Sequence, residues 1–151
     1  MYEPGFIYQR TPEESRDMFL AWDRSDKAFF AAGACHILAH TFLSLHYEED
    51  YQLIYIKPKN DEHTGNHLYA SNGIWAFDFN GWTLEEELLE VTEAAYKQAW
   101  PDWDYERIVI AEGLPAYIAG GQHNLRPPEY FPELPWRRAY AYLQQFPPNH
   151  P

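Results

Sequence analysis

Three side chains carry the reactive chemistry of this sequence: the thiol of Cys35, the imidazole of His67 and the carboxylate of Asp78, in that order along the chain. A neutral imidazole whose second ring nitrogen is held by a carboxylate can take the proton of a thiol, and the resulting thiolate attacks amides and thioesters. The histidine and the aspartate are tied together by a local pattern. Asn72-Gly73 between two apolar-rich runs, His67-Leu-Tyr-Ala-Ser71 and Ile74-Trp-Ala-Phe-Asp78, predicts a two-residue type I′ hairpin, because both central residues need positive φ and these two tolerate it. That register sets Ser71 against Ile74, Ala70 against Trp75, Tyr69 against Ala76, Leu68 against Phe77 and His67 against Asp78. Directly opposed Cβ atoms lie about 4.5–5.5 Å apart, so the imidazole and the carboxylate are expected as cross-strand partners. Alternation sends Leu68, Ala70, Trp75 and Phe77 to a core face and His67, Tyr69, Ala76 and Asp78 to the other. On a solvated face the same pair would be a plain cross-strand contact worth a few tenths of a kcal/mol. Asn66, Tyr69 and Trp75, beside the pair, are the candidate substrate contacts.

Cys35 follows Ala31-Ala32-Gly33-Ala34, a run of small residues with a glycine break, and precedes a stretch with apolar residues at helical spacing. A helix is therefore expected from about Ala34 to His46, with the thiol in its first turn. Unpaired backbone N–H groups and the positive end of the helix dipole lower a thiol's pKa at such a position, and the same N–H groups stabilise an oxyanion. A helix running unbroken from Asp26 would instead put Cys35 mid-helix, and free cysteine is among the most buried residue types, so a core role is the competing expectation.

The remaining elements follow from caps and periodicity. Thr11-Pro12-Glu13-Glu14 forms a capping box opening a helix to about Trp22, and Ser25 or Asp26 starts the next element. Tyr51–Lys57 reads as a strand ended by Pro58, followed by a polar loop, Asn60–Gly65. Thr83-Leu-Glu-Glu86 reads as a second capping box, leading an amphipathic helix to about Gln98 with Leu84, Leu88, Leu89, Val91, Ala95 and Tyr96 as its apolar stripe. Glu106–Ala111 is a further strand, Gly113–Pro128 a loop, and Pro135–Gln145 a terminal helix. The order helix, helix, strand, strand, strand, helix, strand, helix predicts a single α+β domain over residues 1–151 with an antiparallel sheet and a central helix bearing the nucleophile.

Composition narrows the function classes. A length of 151 residues with 46% hydrophobic side chains suits one domain with a sizeable core. No apolar run approaches membrane-spanning length and the N-terminus lacks a signal-peptide pattern, so a cytoplasmic protein without a membrane partner is expected. One cysteine allows no internal disulfide. The net charge of −12, from 23 acidic against 11 basic side chains, opposes nucleic-acid binding and fits an amine-bearing or basic partner, while solubility alone explains it about as well. His36 and His40 have the i, i+4 spacing of a zinc pair, but the Glu of His-Glu-x-x-His and any Cys-x-x-Cys are lacking, so no metal or other cofactor is expected.

Taken together, Gly33 to Trp82, about a third of the chain, resembles the papain-like and transglutaminase-like cysteine hydrolases. In that superfamily the nucleophile starts a central helix and the His and acid follow on adjacent antiparallel strands. Trp75-Ala-Phe-Asp78 resembles the aromatic-flanked strand that carries the acid in transglutaminase-like domains and arylamine acetyltransferases. The resemblance implies Cys35 as nucleophile, His67 as general base and acid, and Asp78 as orienter, in a hydrolase or acyl transferase acting on a protein, peptide or amine-bearing substrate. Phe29 and Phe30 stand where papain-like peptidases keep an oxyanion glutamine, and His36 follows Cys35 in place of tryptophan. The oxyanion donors would then be the Cys35 N–H with Asn66 or Gln52. The composition alone fits a second class equally, an acidic cytoplasmic binding protein of the immunity or inhibitor type that captures a basic partner without catalysis.

Overall fold

The computed structural model describes residues 1–111 and 125–151. Five antiparallel strands form one sheet, β1 (Gln52–Pro58), β2 (His67–Ser71), β3 (Trp75–Asp78), β4 (Gly81–Leu84) and β5 (Tyr105–Ile110), in the order β4-β3-β2-β1-β5. Around it lie α1 (Pro12–Arg16), α2 (Met18–Trp22), α3 (Asp26–Ala31), α4 (Cys35–Leu45), α5 (Glu85–Ala99) and α6 (Pro135–Leu143), with short 3-10 turns at Gly5–Tyr8 and Pro128–Tyr130. The architecture is α+β with an antiparallel sheet. Among the described residues no helix is long and apolar enough to cross a membrane.

Both faces of β2 are buried, and the two faces have different covers. Leu68, Ala70 and Phe77 face α4, whose Phe42 stacks on Phe77 at 4.7 Å between ring centroids. Cys35 packs with Leu53, Tyr55 and Leu68 near the start of β2, so α4 runs along that strand with its N-terminus at the His67 end. The helix is buried on nearly every side, by the sheet and by α6. Its sequence reflects this: Ile37, Leu38, Ala39 and Phe42 are all at most 2% exposed. The opposite face, with Tyr69 and Asp78, is covered by α5 and the N-terminal segment through Tyr2, Phe79 and Tyr96.

Four expectations need correction. The hairpin turns one residue later than expected, pairing Ala70 with Phe77 and Ser71 with Ala76. Asn72 does not occupy a central turn position. Its Oδ1 accepts from Ile74 N at 2.9 Å and Trp75 N at 2.7 Å, while Gly73 takes positive φ, at 95°. The Thr11 helix breaks at Asp17, whose carboxylate caps α2 by accepting from Phe19 N and Leu20 N. Thr83-Leu-Glu-Glu86 is not a capping box, because Gly81–Leu84 continues the sheet as β4 and α5 begins at Glu85 without a side-chain cap. Leu84, placed in the α5 apolar stripe by periodicity, is 43% exposed. The Gly113–Pro128 loop falls mostly outside the described residues, and Pro128 opens a 3-10 turn.

Candidate functional site

The break before α4 comes from Gly33, which adopts φ 113°, a conformation that L side chains rarely take. It ends the α3 segment and lets α4 start at Cys35. Ala34, the N-cap residue, supplies no side-chain hydrogen bond, so no capping side chain satisfies the first-turn N–H groups of α4. The thiol is partly exposed and lines a cavity of about 220 Å³. Gln9, Arg10, His36, Asn66, Tyr96 and Arg126 also line this cavity.

His67, the first residue of β2, is 8% exposed, and Asp78, the last residue of β3, is 3% exposed. Their Nε2–Oδ2 distance is 3.0 Å. The observed register sets Asp78 across from Tyr69 rather than His67, so the contact is diagonal. It survives because moving the turn by one residue shifts every cross-strand partner by two, and a shift of two keeps each side chain on its own face. Diagonal neighbours remain within reach of an imidazole.

Asp78 has its acceptor capacity well used. Besides His67, Tyr2 Oη donates to Oδ2 at 2.6 Å and Asn80 N donates to Oδ1 at 2.9 Å. Burial, and then the Asp78 charge it touches, push the Tyr2 hydroxyl well above its ordinary range, so it stays a donor. An ionised carboxylate only accepts, so His67 Nε2 carries a hydrogen toward it and Nδ1 is the nitrogen left for the thiol. Burial works against charge on both partners of the Cys35–His67 pair. Hydrogen bonds to His36 and His67 and the charge on the imidazole reverse this for Cys35, bringing the thiol down to about 5. Asp78 and the thiolate do the converse for His67, raising it to about 10. Both directions favour the thiolate–imidazolium form of the pair.

His36, next to the nucleophile, is buried and has its Nε2 2.7 Å from the carbonyl of Arg126. The carbonyl can only accept, so His36 Nε2 donates to it. Of the two imidazoles beside the thiol, His67 is the one held by a carboxylate, at 3.0 Å from Asp78. His40 is half-buried against Trp136, and among the described residues no three His, Cys, Asp or Glu side chains are grouped to hold a metal ion.

The structure brings Cys35, His67, Asp78 and Asn66 to one place, and sets Tyr69 and Trp75 apart from the cavity lining. Tyr69 Oη donates to the buried Glu85 carboxylate at 2.9 Å, in a network that Ser71 and Arg107 complete. Trp75 sits at the far end of the hairpin, stacked on His150 at 5.4 Å. Gln52, opposite Ser71, is at that same far end. Sequence reasoning missed Tyr2, Gln9, Arg10 and Arg126. Gln9 replaces Gln52 as a side-chain amide beside the thiol, its Nε2 donating to Thr64 Oγ1 at 2.8 Å. No local pattern marks these residues, because the N-terminal segment and the chain after β5 reach the site only through the tertiary fold.

Comparison of the chain with protein-family models, curated proteins and solved structures finds no match.

Proposed function

We propose that this protein is a cysteine-dependent hydrolase or acyl transferase acting on an amide or thioester, with a papain-like or transglutaminase-like arrangement of its nucleophile helix and acid–base strands. The observation that carries the reading is the convergence of three residues from three elements, Cys35 at the start of α4, His67 on β2 and Asp78 on β3, with Cys35 at the wall of a cavity and the His67–Asp78 pair buried behind it. A buried carboxylate that receives three hydrogen bonds and orients a histidine beside a thiol is more than a core cysteine requires.

In the proposed mechanism the Cys35 thiolate attacks the carbonyl carbon, and the carbonyl π electrons move onto oxygen. The oxyanion is met by the first-turn N–H groups of α4 together with the Asn66 or Gln9 amide, which share the cavity. The His67 imidazolium then gives its proton to the departing amine or thiolate, leaving an acyl-Cys35 and a neutral imidazole. Water or an amine attacks the thioester with His67 now taking its proton, and expulsion of the Cys35 thiolate restores the ion pair. Peptides, protein side-chain amides and amine acceptors are the substrates this apparatus suits.

The test is an acid-quenched reaction with p-nitrophenyl acetate, read by intact mass and peptide mapping. An acetyl adduct on Cys35, absent in Cys35→Ser and strongly reduced in His67→Ala, is expected. A protein that forms no adduct, and whose thiol is modified only after unfolding, would make Cys35 a core residue and return the acidic binding-protein reading.

A further inference from the structure

We infer that the substrate of Cys35 carries a carboxylate close to its reacting carbonyl, bound by Arg10 and Arg126; this rests on the hydrolase reading above and specifies its substrate class. Both guanidinium-bearing side chains line the cavity that contains the thiol. Arg10 lies along Gly33, with its Cδ, Nε and Nη1 each 3.5 Å from where a Cβ at that glycine would stand, two residues before the nucleophile. Arg126 is fixed from the other side. Its carbonyl accepts from His36 Nε2 at 2.7 Å, its Nη2 donates to the Ser15 carbonyl at 3.1 Å, and its guanidinium lies 4.5 Å over the Tyr130 ring.

Neither arginine is in an ion pair among the described residues, although the chain carries 23 acidic side chains. The nearby Glu14 is engaged by Arg24 at 3.3 Å and by the Thr11 capping box. Burial, followed by the proximity of Arg126, pulls the Arg10 guanidinium below its ordinary value, so the two cations stand near each other, and among the described residues neither is ion-paired to a carboxylate. Lining one cavity together with the nucleophile, the two guanidinium groups can take one anion between them, and the planar fork of arginine suits a carboxylate bidentately. A phosphate dianion would meet the same fork but twice the repulsion from the net charge of −12. The cavity, about 220 Å³, is smaller than the ~300–1,000 Å³ of drug-sized sites, so the group it takes is of the size of one acidic residue or chain terminus.

The experiment compares second-order alkylation of Cys35 by iodoacetate and by iodoacetamide in the wild type, Arg10→Gln and Arg126→Gln, with glutathione as a free thiol. A free thiolate prefers the neutral reagent; Cys35 should prefer the carboxylate. The iodoacetate-to-iodoacetamide ratio is expected to fall about tenfold or more in each variant, the scale of one charge-assisted bond. In the wild type it should fall toward the glutathione value between about 20 mM and about 500 mM salt, a measurement that needs no mutation. A glutathione-like ratio at low salt, or one that neither variant changes, overturns the inference while leaving the hydrolase reading standing. Failure of both reagents on the folded protein removes both. Protection against iodoacetamide then locates the carboxylate: N-acetylglutamate α-amide presents it on a side chain, and N-acetylglutamine at a chain terminus. Equal protection by the neutral N-acetylglutamine amide, or stronger protection by inorganic phosphate, would overturn the carboxylate assignment.

Discussion

Replacing His67 by alanine should invert the pH dependence of Cys35 alkylation, and the crossing point follows from the site. With the thiol near 5, about nine-tenths of Cys35 is thiolate at pH 6. In His67→Ala the His67 imidazolium and its hydrogen bond are gone, and His36 is the one imidazole left beside the thiol. The thiol then rises toward its ordinary value of about 8.5, and in the limit of a full return roughly 0.3% is ionised at pH 6. The thiolate fraction thus drops about 300-fold. Nucleophilicity moves the other way, because with a Brønsted slope of about 0.45 a thiolate 3.5 units more basic reacts about 40-fold faster.

The net expectation is an iodoacetamide rate about eightfold slower than wild type at pH 6, about equal near pH 7, and about 30-fold faster at pH 9. Stopped-time alkylation read by intact mass over pH 5–10 measures all three. Wild type should follow a midpoint near 5, and the variant one near 8.5 or higher. Parallel profiles for the two proteins, or a wild-type midpoint at the value of an ordinary thiol, would refute the ion pair and with it the role given to His67.

The thiolate–imidazolium pair also shapes stability. Cys35 has a lowered folded-state value, so its contribution is lost as pH falls from about 8.5 toward 5; His67 has a raised one, so its contribution is lost as pH rises from about 6.5 toward 10, and the two slopes cancel between about 6.5 and 8.5. Thermal melts should therefore show a difference between wild type and Cys35→Ser that is largest between about pH 6.5 and pH 8.5 and shrinks on both sides. Tyr2→Phe removes a 2.6 Å bond to Asp78 and should cost about 1–2 kcal/mol by urea denaturation while moving the Cys35 labelling midpoint, a shift that a purely structural role would not produce. Glu85→Ala strips Tyr69, Ser71 and Arg107 of their common acceptor and should cost about 3–5 kcal/mol with the Cys35 pH profile retained. Gly33→Ala forces an L side chain to φ 113° beside Arg10 and should cost about 1–3 kcal/mol, read in the same urea titration.

What the sequence revealed of this site, and what it hid, divides along physical lines. The start of α4 is legible because a glycine after a helical run and before an apolar periodic one has few other uses, and Gly33 does adopt the positive φ that breaks the helix. The His67–Asp78 contact is legible for a sturdier reason than the register that suggested it. The Asn72 carboxamide captures two backbone N–H groups and moves the turn, yet alternation depends only on parity, and parity is unchanged. β4 was hidden because Thr83-x-x-Glu86 has the composition of a cap, and only the tertiary pairing of Trp82 with Phe77 and Thr83 with Ala76 shows that these residues extend a sheet. Tyr69 was legible as a polar-face aromatic but not as a partner of Glu85, since the network depends on where α5 begins.

The cavity lining was the least legible part, and net charge pointed away from it. A chain at −12 suggests a cationic partner, but a site responds to the charges within a Debye length of about 8–10 Å, and the cavity that the thiol lines is lined by Arg10 and Arg126 as well. The N-terminal segment matters here beyond its one arginine. Tyr2 holds Asp78, Gln9 bonds to Thr64, and Arg10 covers Gly33, so a strip of ten residues without a long helix or any strand orients the acid, offers an amide and places a cation at one cavity. The α4, β2 and β3 elements supply the nucleophile, base and acid, while this strip governs what reaches them. Substitutions in it should therefore change the reagent preference and labelling pH of Cys35 while α4 and the sheet remain folded, as measured by alkylation ratio and by urea denaturation on the same samples.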